Sequence, residues 1–260
     1  MTPLLLIDGD ILCYKAAWKA QDSIDWEDGE DCQLIADVKI ADRYLDRAVA
    51  TISEALESES IAVCLSDTVN WRKELWPEYK SNRTNQPKPV LLDHCKSYFR
   101  RNYRTYSWPR LEADDVMGIR STYGPESIIV SSDKDMKTVP GKLYNPDHPE
   151  DGVVKISHVD AVYWHMFQTL TGDTTDGYKG CPGIGPVKAK AILDNVDRPT
   201  NSKQFKEWRK ELWTRIEETY SEKGQTKQQA LLSARLANIL TKGQYNPATA
   251  KIKPWKPPVT

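Results

Sequence analysis

The sequence predicts an α/β fold with a mainly parallel central sheet. Three observations predict it: short apolar runs that read as buried strands, helical patterns between them, and an Asp close behind each run. Strands covered on both faces are near-continuous in apolar residues rather than alternating. Residues 4–7, 61–65 and 127–130 have that character, and Asp8, Asp67 and Asp133 follow them. Helical periodicity covers residues 11–20, 36–56, 112–123 and 157–170, which places helices on both faces of the sheet. In such a sheet, ligands gather outside the carboxyl ends of the strands, where these Asp residues fall.

The rest of the chain departs from that alternation in three places. Residues 71–104 are basic and aromatic, and Pro77, Pro87 and Pro89 interrupt any continuous helix there. Residues 171–186 are rich in Gly, Thr and Asp, and two further helices are expected over about 202–219 and 225–240. From Tyr245 onward Pro247, Pro254, Pro257 and Pro258 predict an extended tail. The boundaries expected are therefore 1–170 for the α/β domain, 171–245 for a helical subdomain and 246–260 for the tail.

Bulk properties narrow the class. A chain of 260 residues with 39% hydrophobic and 28% charged content is an ordinary globular protein. No apolar run approaches the roughly 20 residues a membrane span requires, and the N-terminal apolar stretch is too short for a signal-peptide core. Cys13, Cys32, Cys64, Cys95 and Cys181 are odd in number, without CxxC or zinc spacing, which favours a reduced, cytoplasmic compartment. The net charge of −1 conceals blocks of opposite sign: −10 over residues 1–70, +7 over 71–110, −7 over 111–176 and +9 over 177–260. Basic blocks suit a polyanion, and acidic blocks with closely spaced Asp suit cations, although solvated helix faces would give the same sums.

The carboxylates carry the chemistry. Asp8 lies in LLLIDGD, Asp67 in AVCLSD, Glu112, Asp114 and Asp115 in LEADDV, Asp133 and Asp135 in IIVSSDKD, and Asp173 and Asp176 in LTGDTTDG. Each alone reads as a helix cap or a turn. Converging strand ends, however, would gather several of them, and unpaired carboxylates in one pocket repel and raise one another's pKa values. Hard divalent cations relieve that repulsion. Oxygen-only donors point to Mg2+ or Mn2+ over zinc, and two such ions can clamp the attacking and leaving oxygens of a phosphodiester.

Two basic elements suggest the substrate. GIGPVKAKAILDN, residues 183–195, is a helix-hairpin-helix-type signature. Gly183 and Gly185 permit a tight turn, Pro186 suits a first helical turn, and the helix start with Lys188 and Lys190 offers donors to a phosphate. WPEYKSNR, residues 76–83, sets Trp76, Tyr79, Lys80 and Arg83 close together, a combination suited to single strands or frayed ends or, equally, to an exposed basic loop.

LLLIDGD, LSD, PEYKSNR, EADDV, SSDKD, TGDTTDG and GIGPVKA occur in one order from Leu4 to about Asn195, and this series resembles the 5′ nucleases of the flap endonuclease family. It is most similar to the 5′–3′ exonucleases of podovirus-type phages and the 5′ nuclease domain of bacterial DNA polymerase I. The resemblance implies a PIN-like nuclease domain followed by a helix-hairpin-helix-type (helix-3-turn-helix) α-helical subdomain, with an arch at about 71–104. It implies one metal cluster at Asp8, Asp67, Glu112, Asp114 and Asp115 and a second at Asp133, Asp135, Asp173 and Asp176. Lys80 and Arg83 would contact the scissile phosphate, and Tyr79 would stack on the terminal base. Gly183 to Lys190 would bind duplex DNA, in the family around a K+ ion held by backbone carbonyls.

The expectation is a two-metal hydrolase cutting DNA, or the RNA of RNA–DNA hybrids, from 5′ ends in replication, primer removal or DNA degradation. It would act as a monomer in the cytoplasm, the host's if the chain is a phage protein, with replication proteins meeting the C-terminal tail. Two rival readings remain. A haloacid-dehalogenase-type phosphatase shares the DxD of Asp8 and Asp10 but leaves EADDV and GIGPVKA unexplained. A non-catalytic DNA-end-binding protein would keep the basic elements without the chemistry.

Overall fold

A computed structural model describes residues 2–25, 32–83 and 87–258. Strands β1 (Leu4–Asp8), β4 (Ile61–Cys64), β5 (Thr105–Tyr106), β6 (Ser127–Val130), β7 (Gly141–Tyr144) and β8 (Val153–Ile156) form one sheet in the order β5-β4-β1-β6-β7-β8. The pairings of β1 with β4 and β6, of β4 with β5 and of β6 with β7 are parallel, as expected. The central strand β1 is buried along its whole length, which explains the unbroken apolar run. From β1 the chain builds outward through β4 and β5, then restarts at β6 on the other side and continues to β7 and β8. The order therefore reverses between β1 and β6. A crevice opens at such a switch point.

The helices are α1 (Gly9–Lys19), α2 (Val38–Ala55), α3 (Arg72–Leu75), α4 (Leu92–Asn102), α5 (Ala113–Tyr123), α6 (His158–Thr171), α7 (Pro186–Asp194), α8 (Ser202–Glu222) and α9 (Lys227–Ala237). Several start where the sequence supplies a cap. The Asp8 carboxylate accepts from Ile11 N in α1, Asp37 from Lys39 N in α2, and Ser157 from Asp160 N in α6. α9 opens with a capping box between Thr226 and Gln229. In α2 the buried residues Ala41, Leu45, Val49 and Ile52 recur at the spacing of one helical face.

One element departs from the sequence reading. Residues preceding α2 form a hairpin of β2 (Gln21–Asp25) and β3 (Cys32–Ala36), which lacks a clear apolar alternation. As the prolines predict, the segment with Pro77, Pro87 and Pro89 is broken into α3, a 3-10 turn at Ser81–Arg83 and α4, with the prolines outside each helix.

The chain forms two compact units from interleaved stretches. The first comprises Met1–Val69, Gln86–Asp133 and Lys142–Val154 and carries most of the sheet. In its core Leu5, Ile7, Val63 and Val130 from the strands pack with Leu12, Leu45 and Phe99 from helices. The second comprises Asn70–Asn85, Lys134–Gly141 and Lys155–Thr260. Its core joins Leu170 of α6 and Leu193 of α7 to Trp208, Leu212, Trp213 and Ile216 of α8. The C-terminal segment, expected to be extended, forms a short hairpin of β9 (Tyr245–Asn246) and β10 (Lys251–Ile252) before extended chain. Trp255 anchors it: the indole is 9% exposed, packed against His165 and Trp213. Burying so large an aromatic offsets part of the entropy lost in ordering the tail. No helix among the described residues is long and apolar enough to cross a membrane.

Candidate active site

In the first unit, two serines organise the carboxyl ends of the strands. Asp8, at the end of β1, is 4% exposed, and its second oxygen accepts from Ser131 Oγ just beyond β6 at 2.8 Å. Ser131 Oγ in turn accepts from Asp133 N at 3.0 Å. The hydrogen bonds thus span the switch point between β1 and β6. Ser66, after β4, has the matching role: its N donates to Asp10 Oδ2 at 3.1 Å, and its Oγ accepts from Ala113 N at 2.9 Å. The starts of α1 and α5 are thereby both tied to the end of β4, with Glu112, Asp114 and Asp115 in the first turn of α5 or just before it.

Burial pushes the Asp8 carboxyl up to about 7, and the charge of Asp10 adds to the rise. The Ser131 and Ile11 hydrogen bonds act against it, and Asp133 again raises it. Asp10 also meets Lys96 Nζ at 2.8 Å. This is a deep carboxylate whose neighbours are further carboxylates, with hard oxygen donors throughout. A cation at that spot would remove both the repulsion and the proton. A cavity of about 220 Å3 opens beside Asp8 and Ser131, with Lys15, Arg47 and Asp147 among its walls.

The remaining first-unit candidates are placed less uniformly. Asp115 is fully buried and Asp114 half-buried. Asp67 is held between the segment before α5 and its own loop, accepting from Arg110 N at 2.7 Å and Thr68 N at 2.8 Å, and these bonds hold its carboxyl below the usual range. Among the described residues, no three His, Cys, Asp or Glu side chains are already gathered as a metal cage would gather them.

In the second unit, two motifs from distant parts of the chain clasp each other. The loop of TGDTTDG is closed by Gly172 and Gly180, whose backbones approach so closely that a Cβ on Gly172 would lie 2.4 Å from Gly180 N. Inside it, Asp173 is 8% exposed and Oδ1 accepts from Thr175 N at 2.7 Å and Asp176 N at 3.2 Å. Burial raises the Asp173 carboxyl, but Lys134 and these backbone groups outweigh it and hold it low. Lys134 Nζ reaches Asp173 at 2.5 Å and Asp135 at 2.8 Å, and Gln168 Nε2 donates to Asp135.

PEYKSNR docks on this loop. Tyr79 OH donates to Asp176 Oδ2 at 2.6 Å, Arg83 Nη2 to Oδ1 at 2.8 Å, and Lys80 Nζ lies 3.4 Å from Oδ1. Lys80 N donates to Asp176 O at 2.9 Å, Asn82 Nδ2 to Thr174 O at 2.9 Å and Arg83 Nε to Thr175 O at 3.0 Å. Lys80 adopts φ +57°, the left-handed region that non-glycine residues avoid. This corrects one expectation. Tyr79 is 2% exposed, in a cluster with Tyr178, Leu236 and Ala237, and so presents no open face to a base. Its ring is core, and its hydroxyl props Asp176.

The helix-hairpin-helix-type element folds as the spacing requires. Gly183 has φ +73°, Gly185 is the residue before α7, and Pro186 occupies its first turn. Ile184, Ala189 and Leu193 face the core, while Lys188 and Lys190 are exposed and Lys188 Nζ donates to Gly183 O at 3.1 Å. Sequence reasoning missed Ser66, Ser131, Asn82, Gln168 and Lys134. The serines and Lys134 sit inside or beside quoted motifs, where a hydroxyl or amine among carboxylates was the available signal.

Comparisons with known proteins bear on the family and the fold. A family model described as the 5′–3′ exonuclease, N-terminal resolvase-like domain, matches residues 3–148. The exodeoxyribonuclease of Enterobacteria phage T3 is 32% identical over 285 aligned positions, covering 98% of this chain and 93% of that protein. The exonuclease of Escherichia phage T7 is 31% identical with the same coverage, 98% and 93%. Among solved structures, the bacteriophage T5 D15 protein co-crystallised with metal ions superposes with a TM-score of 0.61 at 14% identity, covering 91% of this chain and 89% of that one. That likeness bears out the expected PIN-like α/β fold. The phage kinship expected from the motifs also holds, and the phosphatase reading falls with it. With more than half of the chain inside the family model and nearly all of it aligned to two phage exonucleases, the chain belongs to the 5′–3′ exonuclease family.

Proposed function

We propose that this chain hydrolyses phosphodiesters of DNA from 5′ ends, as exonuclease or flap endonuclease, with Mg2+ or Mn2+ as cofactor. The observation that carries the reading is Asp8: a buried carboxyl at the switch point, raised to about 7 by burial and by the charge of Asp10, is suited to a hard cation. Asp8, Asp67, Glu112, Asp114 and Asp115 would hold one ion, and Asp133, Asp135, Asp173 and Asp176 a second. Bound there, such ions supply an activated water and stabilise charge on the departing 3′ oxygen.

The chain's own residues do the positioning. Ser131 and Ile11 N orient the Asp8 carboxylate, and Ser66 fixes Asp10 and the start of α5. Lys80 and Arg83, held together on Asp176, form a paired cationic site suited to a phosphate, and would neutralise the scissile one. The start of α7, with Lys188 and Lys190, would take the duplex backbone without reading its sequence, with K+ at the Gly183 turn. The enzyme would act as a cytoplasmic monomer in replication, primer removal or DNA degradation. A replication protein that engages the C-terminal segment would meet a chain already anchored by Trp255.

The test is cleavage of 5′- and 3′-labelled blunt, gapped, flapped and RNA-primed duplexes. Products bearing a 5′-phosphate, released from the 5′ side in Mg2+ and absent in EDTA, are expected. Binding without cleavage in either Mg2+ or Mn2+ would instead support the DNA-end-binding reading.

A further inference from the structure

Lys134 stands between two of the carboxylates assigned above to the second metal set. Its Nζ lies 2.8 Å from Asp135 Oδ1 and 2.5 Å from Asp173 Oδ2. Asp173 has little latitude, because Oδ1 is committed to the backbone N–H groups of Thr175 and Asp176. The oxygen that remains for a cation is Oδ2, and the ammonium holds it. Asp135 Oδ1 is likewise fixed, by Gln168 Nε2 as well as by Lys134. All these groups belong to the second unit.

A divalent ion held by Asp135 and Asp173 would need the space the ammonium fills. Volume and like charge both forbid the two cations to share it. The lysine is nevertheless built to leave. Its side chain is 68% exposed, so it can swing into solvent without opening a core. Its partners are 19% and 7% exposed and stay in place through their own hydrogen bonds.

Resting on the reading of these carboxylates as metal ligands, we propose that Lys134 is a resident counter-ion. It holds Asp135 and Asp173 together while no divalent ion is bound, and it must be displaced for one to enter. Lys134 is a positioning residue: it prevents the repulsion that would splay the pair, and it sets a threshold for metal loading. Neutralising it removes a competitor at the cost of a looser pair. Because the pair is also held by Gln168 and by the 173–176 backbone, the loss of competition dominates.

The experiment uses the full chain and Mn2+ titrations by calorimetry on wild type, Lys134→Met, Lys134→Arg and Asp173→Asn. Lys134→Met is expected to bind Mn2+ about 5-fold more tightly, in keeping with the loss of one partly exposed ion pair. It should also melt lower than wild type in EDTA and recover in Mn2+, while Lys134→Arg stays near wild type. In the wild-type protein, acylation of Lys134 by an amine-reactive ester, read by peptide mass spectrometry, should increase on Mn2+ saturation. Unchanged or weaker Mn2+ binding by Lys134→Met, or labelling insensitive to Mn2+, overturns the proposal while leaving the metal site intact. If Asp173→Asn binds Mn2+ with wild-type stoichiometry and affinity, the metal-ligand reading itself fails and takes the proposal with it.

Discussion

Tyr79 shows how far one side chain can depart from the role its motif suggests. Within PEYKSNR it reads as a stacking platform, yet burial gives its ring to the core and its hydroxyl to Asp176. Tyr79→Phe should therefore cost about 1–2 kcal/mol of stability in urea melts, the scale of a hydrogen bond to a charged acceptor. It should also slow cleavage, because Asp176 holds Lys80 and Arg83. Normal stability with a selective loss of affinity for single-stranded ends would return Tyr79 to the stacking role. Asp114, half-buried in the first turn of α5, would on the proposed reading be a metal ligand. Asp114→Ala is expected to lower cleavage by about 100-fold or more while retaining 5′-ended duplex in Ca2+. A fully active variant would refute its assignment as a ligand. Of these two roles, only that of Asp114 can be traced to a position visible in the sequence, a helix start after a strand. The burial of Tyr79 depends on Leu236 and Ala237, more than 150 positions away, and no local pattern announces it.

At the scale of elements, the loop 172–180 and the start of α7 make separable demands. Gly172 has φ +68° and a Cβ there would lie within 2.5 Å of Lys179 C and Tyr178 O, so the clash is with backbone that cannot turn aside. Gly172→Ala should destabilise the second unit by about 3 kcal/mol or more, seen as a lower urea midpoint, by combining overpacking with backbone strain. A change under about 1 kcal/mol would mean the loop relaxes freely. Lys188 is exposed and makes one hydrogen bond, to Gly183 O, so on the proposed reading its loss would register mainly in the binding of a polyanion. Lys188→Glu should weaken duplex binding and flatten its salt dependence by about one counter-ion or more, with a smaller effect on the chemical step. Unchanged affinity and slope in filter-binding titrations would discard the duplex contact. Strands β1, β4 and β6, the interrupted segment around Pro77, Pro87 and Pro89, and most helices were legible because burial and caps leave local marks. The β2–β3 hairpin was not: its strands lack a clear alternation, and the pairing itself is what defines them.

Across the whole molecule, stability should depend on pH through a residue outside the site. His165 is buried in the second unit, where Nε2–H donates to Ala234 O at 2.7 Å. Burial lowers its pKa to about 4 from 6.5, the Ala234 bond offsetting part of the fall and Arg209 adding to it. The folded state thus favours the neutral ring. Its contribution is fully present above pH 6.5, declines as pH falls toward 4 and is lost below that, about 3 kcal/mol in all. From pH 7 to 4 the urea midpoint of wild type should fall further, or rise less, than that of His165→Gln, because the raised Asp8 carboxyl gives the opposite slope over the same range; parallel profiles would exclude His165 as a contributor. The sequence by itself determined the α/β class, the carboxylates at strand ends and the Gly183–Lys190 element, because strand burial, helix capping and positive-φ turns are written in neighbouring residues. Only the tertiary structure decided that Ser131 spans β1 and β6, that Asp176 clasps Lys80 and Arg83, and that Lys134 bridges Asp135 and Asp173. The physical reason is range. A hydroxyl or an ammonium takes whichever charge the folded chain brings within about 3 Å, and for all but the shortest of these contacts that partner lies tens of positions away or more.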